Sequence, residues 1–170
     1  AFMYEIGAMV FYGGEGVCRV EAVGPLEMSG ASQGKEYYTL APLYRTGRVY
    51  TPVGREETMR PVLSRREAEE LVRSIPSLAA DDCSRLSLRA LNEHYRDLIH
   101  TRTCEDMVRV IKSAYAKGAA RRSRGASPNQ MDERYLKRAE ELLYGELAVA
   151  LDIPREEVAG YIAAEAERQA

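Results

Sequence analysis

The chain has 170 residues, with 24 Lys+Arg against 26 Asp+Glu and a formal net charge of −2, which excludes a globally basic nucleic-acid coat and a strongly acidic tail protein. At 45% hydrophobic and 29% charged residues, the composition is that of a folded protein rather than a disordered one. No apolar run approaches the ~18 residues of a transmembrane helix, the opening Ala1–Glu5 reads as no signal peptide, and Ala1 and Phe2 read as additions ahead of Met3.

The first part of the chain is built of short apolar runs between glycines. Met9–Tyr12 is followed by Gly13-Gly14, Val17–Val20 precedes Gly24-Pro25, and further runs stand at Tyr37–Leu40 and Arg48–Thr51. Aromatic and β-branched residues between turn signals predict strands. Five or so strands in about sixty residues suit a small Tudor- or SH3-like barrel that works through its surface. The boundary is placed at residue 62, giving a barrel over 3–62 and a helical domain over 63–170.

After residue 63 the apolar period becomes helical. Ser64-Arg65-Arg66-Glu67 has the capping-box pattern and opens a helix to about Ile75, stopped by Pro76. A second helix is predicted from about Arg85 to Ile99 on Leu88, Leu91, Tyr95 and Leu98. Thr103–Asp106 starts a third, carrying Met107, Val108, Ile111 and Tyr115, after which Gly118 to Gly125 reads as a Gly/Ser/Arg-rich loop. Ser127-Pro128-Asn129-Gln130 predicts a fourth, capped by Ser127, running through Leu136, Leu143 and Leu147 to Leu151. Asp152-Ile153-Pro154 breaks it and begins a last helix with Val158 and Ile162. The fold class is therefore α+β: a small barrel, then an all-α bundle of about five helices.

Charge is uneven along the chain. Residues 1–62 carry six basic and seven acidic side chains, and residues 63–170 the remaining 18 and 19, so each part nets −1. From Met107 to Met131 there is no Asp or Glu, while Arg109, Lys112, Lys117, Arg121, Arg122 and Arg124 all fall there. One reading is a phosphate-contacting patch at a helix end and the loop behind it; the other is a solvated basic loop that offsets acids elsewhere. Tyr115 has two readings as well: core, continuing the Met107/Val108/Ile111 stripe, or an exposed ring of the kind that wedges at a base step.

In Arg48-Val49-Tyr50-Thr51-Pro52, a proline sits inside a strand-like run. Proline donates no ladder bond, so this strand belongs at a sheet edge or ends there. An open edge beside Arg48 and Tyr50 accepts a strand from another protein; an edge merely blunted by proline fits the residues equally.

Signals of catalysis and of metal binding are missing from the sequence. There is no glycine-rich phosphate loop, nucleophile elbow or His-Glu-x-x-His. Glu56-Glu57, Asp81-Asp82 and Glu140-Glu141 read as solvated surface. Cys18, Cys83 and Cys104 are odd in number and widely spaced, as reduced thiols are, and His94 and His100 fall on different helix faces. The expectation is a non-enzymatic protein without metal or cofactor.

These residues resemble the CarD/CdnL-like bacterial transcription regulators, whose N-terminal module is shared with transcription-repair coupling factor. Tyr4–Tyr12 is similar to the family's opening, with Gly16 as its next glycine. Val20–Val23, Lys35–Leu40 and Val49–Val53 are similar to the strands that follow, and Leu136-x-x-Ala139-x-x-x-Leu143-x-Gly145-Glu146-Leu147-Ala148 to its late helix. Ala8 stands where the family has Asp, Gly13-Gly14 replace Pro-His, and Tyr50 stands where several members have an arginine.

The resemblance implies a Tudor-like domain that binds the RNA polymerase β subunit through Arg48, Val49, Tyr50, Thr51 and Pro52. It also implies a helical domain that contacts promoter DNA without sequence specificity, at the upstream edge of the transcription bubble. By register, Tyr115 occupies the place of the family's wedging tryptophan. The expected protein is a cytoplasmic, nucleoid-associated monomer that modulates open-complex stability. The alternative is a polymerase-bound adaptor whose helices bind another protein and not DNA.

Overall fold

The computed structural model describes residues 3–26, 34–80, 85–100 and 103–169. The chain divides into two compact units, Ala1–Val62 and Leu63–Ala170. The fold is α+β, with a five-stranded antiparallel sheet followed by five α-helices among the described residues.

In the first unit the glycine-punctuated runs become β1 (Met9–Tyr12), β2 (Gly16–Gly24), β3 (Tyr37–Pro42), β4 (Val49–Pro52) and β5 (Met59–Pro61). The sheet order is β4-β3-β2-β1-β5, every neighbouring pair antiparallel. Strand β3 shows the two-residue period that drives this. Tyr38, Leu40 and Pro42 are buried, while Tyr37, Thr39 and Ala41 are only half-buried.

Tyr38 is the centre of this unit's core, with Tyr4, Val10, Cys18, Val20, Leu40 and Met59 around it. Its ring meets that of Tyr4 edge to face, at 6.0 Å between centroids. Its hydroxyl accepts from the backbone N–H of Met3 at 3.1 Å and donates to Glu56 Oε1 at 3.2 Å. A buried tyrosine needs such partners, because an unmet hydroxyl costs ~1–3 kcal/mol. Glu56 is thus not simple solvated surface. The Gly54 N–H and the Tyr38 hydroxyl hold its carboxyl below the usual range.

The second unit contains α1 (Arg65–Ser74), α2 (Leu88–His100), α3 (Cys104–Ser123), α4 (Gln130–Leu151) and α5 (Val158–Gln169). Ser64 and Glu67 form the capping box, each side chain reaching the other's backbone N–H. Pro76 lies in a 3-10 turn, Ile75–Ser77, that follows α1. Helix α2 starts three residues later than the pattern implied: the Ser87 hydroxyl accepts the Ala90 N–H at 3.2 Å, so the cap and not the apolar period sets the start. Thr103 caps α3 through the Asp106 N–H.

Two further boundaries differ from the sequence reading. Helix α3 does not stop at Gly118 but runs to Ser123. Gly118 is buried, and a β-carbon there would lie 3.3 Å from the Arg122 guanidinium and 3.7 Å from Pro128. Close approach of these groups offsets glycine's helix penalty of about 1 kcal/mol relative to alanine. The helix ends in a Schellman turn at Gly125 (φ 76°), where the Ala126 N–H reaches the Arg121 carbonyl at 2.9 Å and the Gly125 N–H that of Arg122 at 3.0 Å. Helix α4 is capped by Asn129, not Ser127: Asn129 Oδ1 accepts the Met131 N–H at 2.8 Å.

Helices α3 and α4 form the most extensive helix pair, burying Met107, Val108, Ala139, Leu142, Leu143 and Leu147. Each such fully buried large side chain contributes ~1.5–3 kcal/mol. Glu140, read as solvated from the sequence, is half-buried, and burial raises its carboxyl above the usual range. Asp81-Asp82 and Cys83 lie outside the described residues. Cys18 and Cys104 are buried thiols.

Candidate functional site

Among the described residues, strand β4 lies at one end of the sheet order, hydrogen-bonded to β3 alone. Its register is Tyr37↔Pro52, Tyr38↔Thr51, Thr39↔Tyr50 and Leu40↔Val49. The Val53 N–H donates to the Glu36 carbonyl at 2.9 Å. In an antiparallel ladder the bonded pairs alternate. Thr51 and Val49 therefore turn their backbone groups toward β3, and Tyr50 turns its N–H and C=O outward. Pro52 also faces outward, so its missing N–H costs the sheet nothing.

The side chains of β4 follow the same alternation. Thr51 is 3% exposed and Val49 half-buried, whereas Tyr50 is 39% exposed. Arg48, exposed at the start of the strand, pairs with Glu21 at 2.6 Å. Glu21 is the extra residue of a bulge in β2, between Val20↔Leu40 and Ala22↔Thr39. Such an exposed ion pair is worth only ~0–1 kcal/mol, so an incoming carboxylate competes for Arg48 at low cost. Nothing in the sequence singled out Glu21 as its partner.

The acid-free stretch in the second unit resolves into groups with different fates. Arg109 stands 3.4 Å from Asp106, one helical turn earlier. The Lys112 ammonium donates to the Ile75 and Leu78 carbonyls and so caps the turn after α1. Lys117 lies 3.7 Å from Asp132, a buried carboxylate that also accepts the Tyr95 hydroxyl at 2.9 Å. Arg121 Nε donates to the Ser127 carbonyl at 2.6 Å and fastens the loop after α3.

Arg122 and Arg124 are exposed, and their guanidinium groups have no hydrogen bond or ion pair among the described residues. Tyr115 is 63% exposed, so the core reading of this residue is wrong. Ser113 and Ala114, just before it on α3, are buried in its place. Tyr115 and Arg122 are seven residues apart on the same helix, two turns or about 10 Å along one face. Ala119, also exposed and on that face, leaves it low and uncharged between them.

The fold and this edge define a class: a small antiparallel sheet module with β4 at its edge, joined to a helical unit. Residues 4–63 match the CarD-like/TRCF RID domain. The first unit is therefore a CarD-like RID, a domain type that binds the β subunit of RNA polymerase. The match stops at residue 63, so the helical unit lies almost wholly outside it. No curated protein matches the chain. Among the described residues, no group of three or more His, Cys, Asp or Glu side chains is placed to hold a metal ion, and no helix is long and apolar enough to cross a membrane.

Proposed function

We propose that the protein is a non-enzymatic transcription regulator. Its RID binds the RNA polymerase β subunit by pairing a strand of that subunit with β4, through Arg48, Val49, Tyr50, Thr51 and Pro52. Its helical unit contacts promoter DNA near the upstream edge of the bubble and modulates the lifetime of the open complex. It works as a cytoplasmic, nucleoid-associated monomer. The observation that carries the reading is the open β4 edge within a domain of the polymerase-binding type.

The DNA arm rests on Tyr115, exposed on the same helix as the unpaired Arg122 and followed closely by the unpaired Arg124. A tyrosine ring offers an unstacked base step a π-face, with less area than an indole and a hydroxyl to keep wet. Phosphate contacts position such a ring but specify no sequence. A weak protein contact and a weak DNA contact then reinforce one another through effective concentration.

The test is open-complex lifetime on one promoter with the unaltered protein, Tyr115→Ala and Tyr115→Trp. A shorter lifetime with Ala and a longer one with Trp supports the wedge. Equal lifetimes remove Tyr115 from the contact.

A second reading is a polymerase-bound adaptor whose helices bind a protein. The internal use of Arg109, Lys112, Lys117 and Arg121 favours it. Reversing charge at Arg121, Arg122 and Arg124 separates the two: unchanged footprints with polymerase binding intact select the adaptor.

A further inference from the structure

We propose that a cleft at the end of β4, between Lys35 and Arg55, receives an acidic side chain of the polypeptide strand that docks on β4. This rests on the polymerase reading above and adds a requirement on the partner's sequence. The cleft, of about 520 Å³, is lined by Lys35, Glu36, Pro52, Val53, Gly54 and Arg55, with Gly34 at its rim. It sits where the β3–β4 ladder makes its last bond, from the Val53 N–H to the Glu36 carbonyl.

The main chain of β4 stops offering partners just before this point. Pro52 has no N–H, and its carbonyl accepts the Arg55 N–H at 3.4 Å within the following turn. A docked strand therefore makes its last main-chain bonds with Tyr50 and must be held beyond it by side chains. At ~3.4 Å per residue, the partner side chains about two to four positions past the one facing Tyr50 lie over the cleft.

Charge decides what those side chains are. Lys35 and Arg55 are exposed, and neither has a side-chain partner among the described residues. The other arginines near this sheet's ends are engaged: Arg45 by Glu15, Arg48 by Glu21, and Arg60 over the Phe11 ring at 4.4 Å. Glu36 is the one carboxylate in the lining, so the cleft carries a net single positive charge. Glu56 next to it already accepts from the Gly54 N–H and the Tyr38 hydroxyl. One further carboxylate neutralises the cleft. A nucleic-acid backbone brings a row of phosphates against Glu36 and the exposed Glu57, which disfavours it here.

The experiment measures binding of the full chain to RNA polymerase core enzyme across a salt series. Its variants are Lys35→Glu/Arg55→Glu, the milder Lys35→Gln/Arg55→Gln, and Tyr50→Pro. All the altered side chains are exposed, and the Tyr50 N–H faces away from β3, so unchanged circular dichroism is expected throughout. The Glu pair is expected to weaken binding at least tenfold and to flatten its salt dependence, with the Gln pair intermediate and Tyr50→Pro abolishing binding. Loss in Tyr50→Pro with unchanged binding in both charge pairs overturns the cleft and leaves the edge reading standing. Unchanged binding in Tyr50→Pro overturns the edge reading itself, and the cleft with it. A charge pair that weakens DNA affinity and spares polymerase binding also overturns the cleft.

Discussion

The Cys104 thiol, at the start of α3, donates to Glu146 Oε1 on α4 at 3.1 Å, and the other oxygen of that carboxylate accepts the Leu63 backbone N–H at 3.0 Å. Glu146 is fully buried. It ties the first residue of the helical unit to two of its helices. Replacing it with an apolar residue of similar size leaves the buried Cys104 thiol and the half-buried Leu63 N–H unmet, at up to ~1–3 kcal/mol each. Glu146→Leu is expected to lower the urea midpoint by an amount equivalent to about 2–4 kcal/mol with the slope unchanged. Glu146→Gln, which keeps one carbonyl acceptor, is expected to lose less.

Lys112 makes the opposite kind of point, since a residue that reads as a DNA contact in the sequence is used inside the fold. Its ammonium meets the Leu78 carbonyl and the Ile75 carbonyl, the latter also accepting the Leu78 N–H at 3.2 Å within the turn after α1. Lys112→Met keeps the aliphatic stem and removes both donations. The expected loss is ~1–3 kcal/mol in chemical denaturation, with DNA affinity at fixed salt unchanged. A fall in DNA affinity without a fall in stability returns Lys112 to the surface.

The sequence carried what is local and repetitive. Alternation at Tyr38 and Leu40 and the Ser64/Glu67 capping box are short-range patterns, and strand β3 and the start of α1 appeared where they pointed. The Gly145-Glu146-Leu147 motif was visible, but its reason was not, because the groups Glu146 serves are far away in the chain at Cys104 and Leu63. Non-local pairing likewise hid the fate of Lys112 and Lys117. Asp106, three residues before Arg109, was the one neutralising partner within reach of a sequence argument. Gly118 misled because propensity ignores the close approach of Arg122 and Pro128. Tyr115 stayed undecided because an apolar stripe says which face is buried only when a neighbour's position is known.

Cys18 links burial to alkaline stability. It lies in the core of the first unit, and burial pushes its thiol up from 9.0 to about 11. The unfolded chain releases this proton near pH 9, while the folded chain keeps it to about pH 11. The stabilisation is complete below pH 9 and is lost as pH rises through that window. The shift corresponds to at most about 2–3 kcal/mol. Cys18→Val, which has no proton to release, is expected to show a shallower fall in stability between pH 9 and 11 than the unaltered protein. Identical profiles place the alkaline transition on the tyrosines instead.

The number of free cations fixes the salt response of any DNA complex. Each neutralised phosphate of duplex DNA contributes a slope of about −0.9 in log K against log salt. If all the basic side chains between Met107 and Met131 reached phosphates, the slope would be about −5. With Arg109 and Lys117 set against carboxylates and Lys112 and Arg121 bonded to backbone carbonyls, only Arg122 and Arg124 in that stretch have no side-chain partner among the described residues, and the expected slope is about −2. Arg122→Ala and Arg124→Ala are each expected to flatten it by about 1, and Arg109→Ala to leave it unchanged. A measured slope near −5 requires the internal partners to let go on binding, since each exposed pair is held by ~1 kcal/mol or less. In that case Arg121, whose bond to the Ser127 carbonyl is exposed, is released before Arg109, whose contact with Asp106 is half-buried. The buried Asp132 side of the Lys117 pair is the last, because leaving that carboxylate unpaired carries the larger desolvation cost.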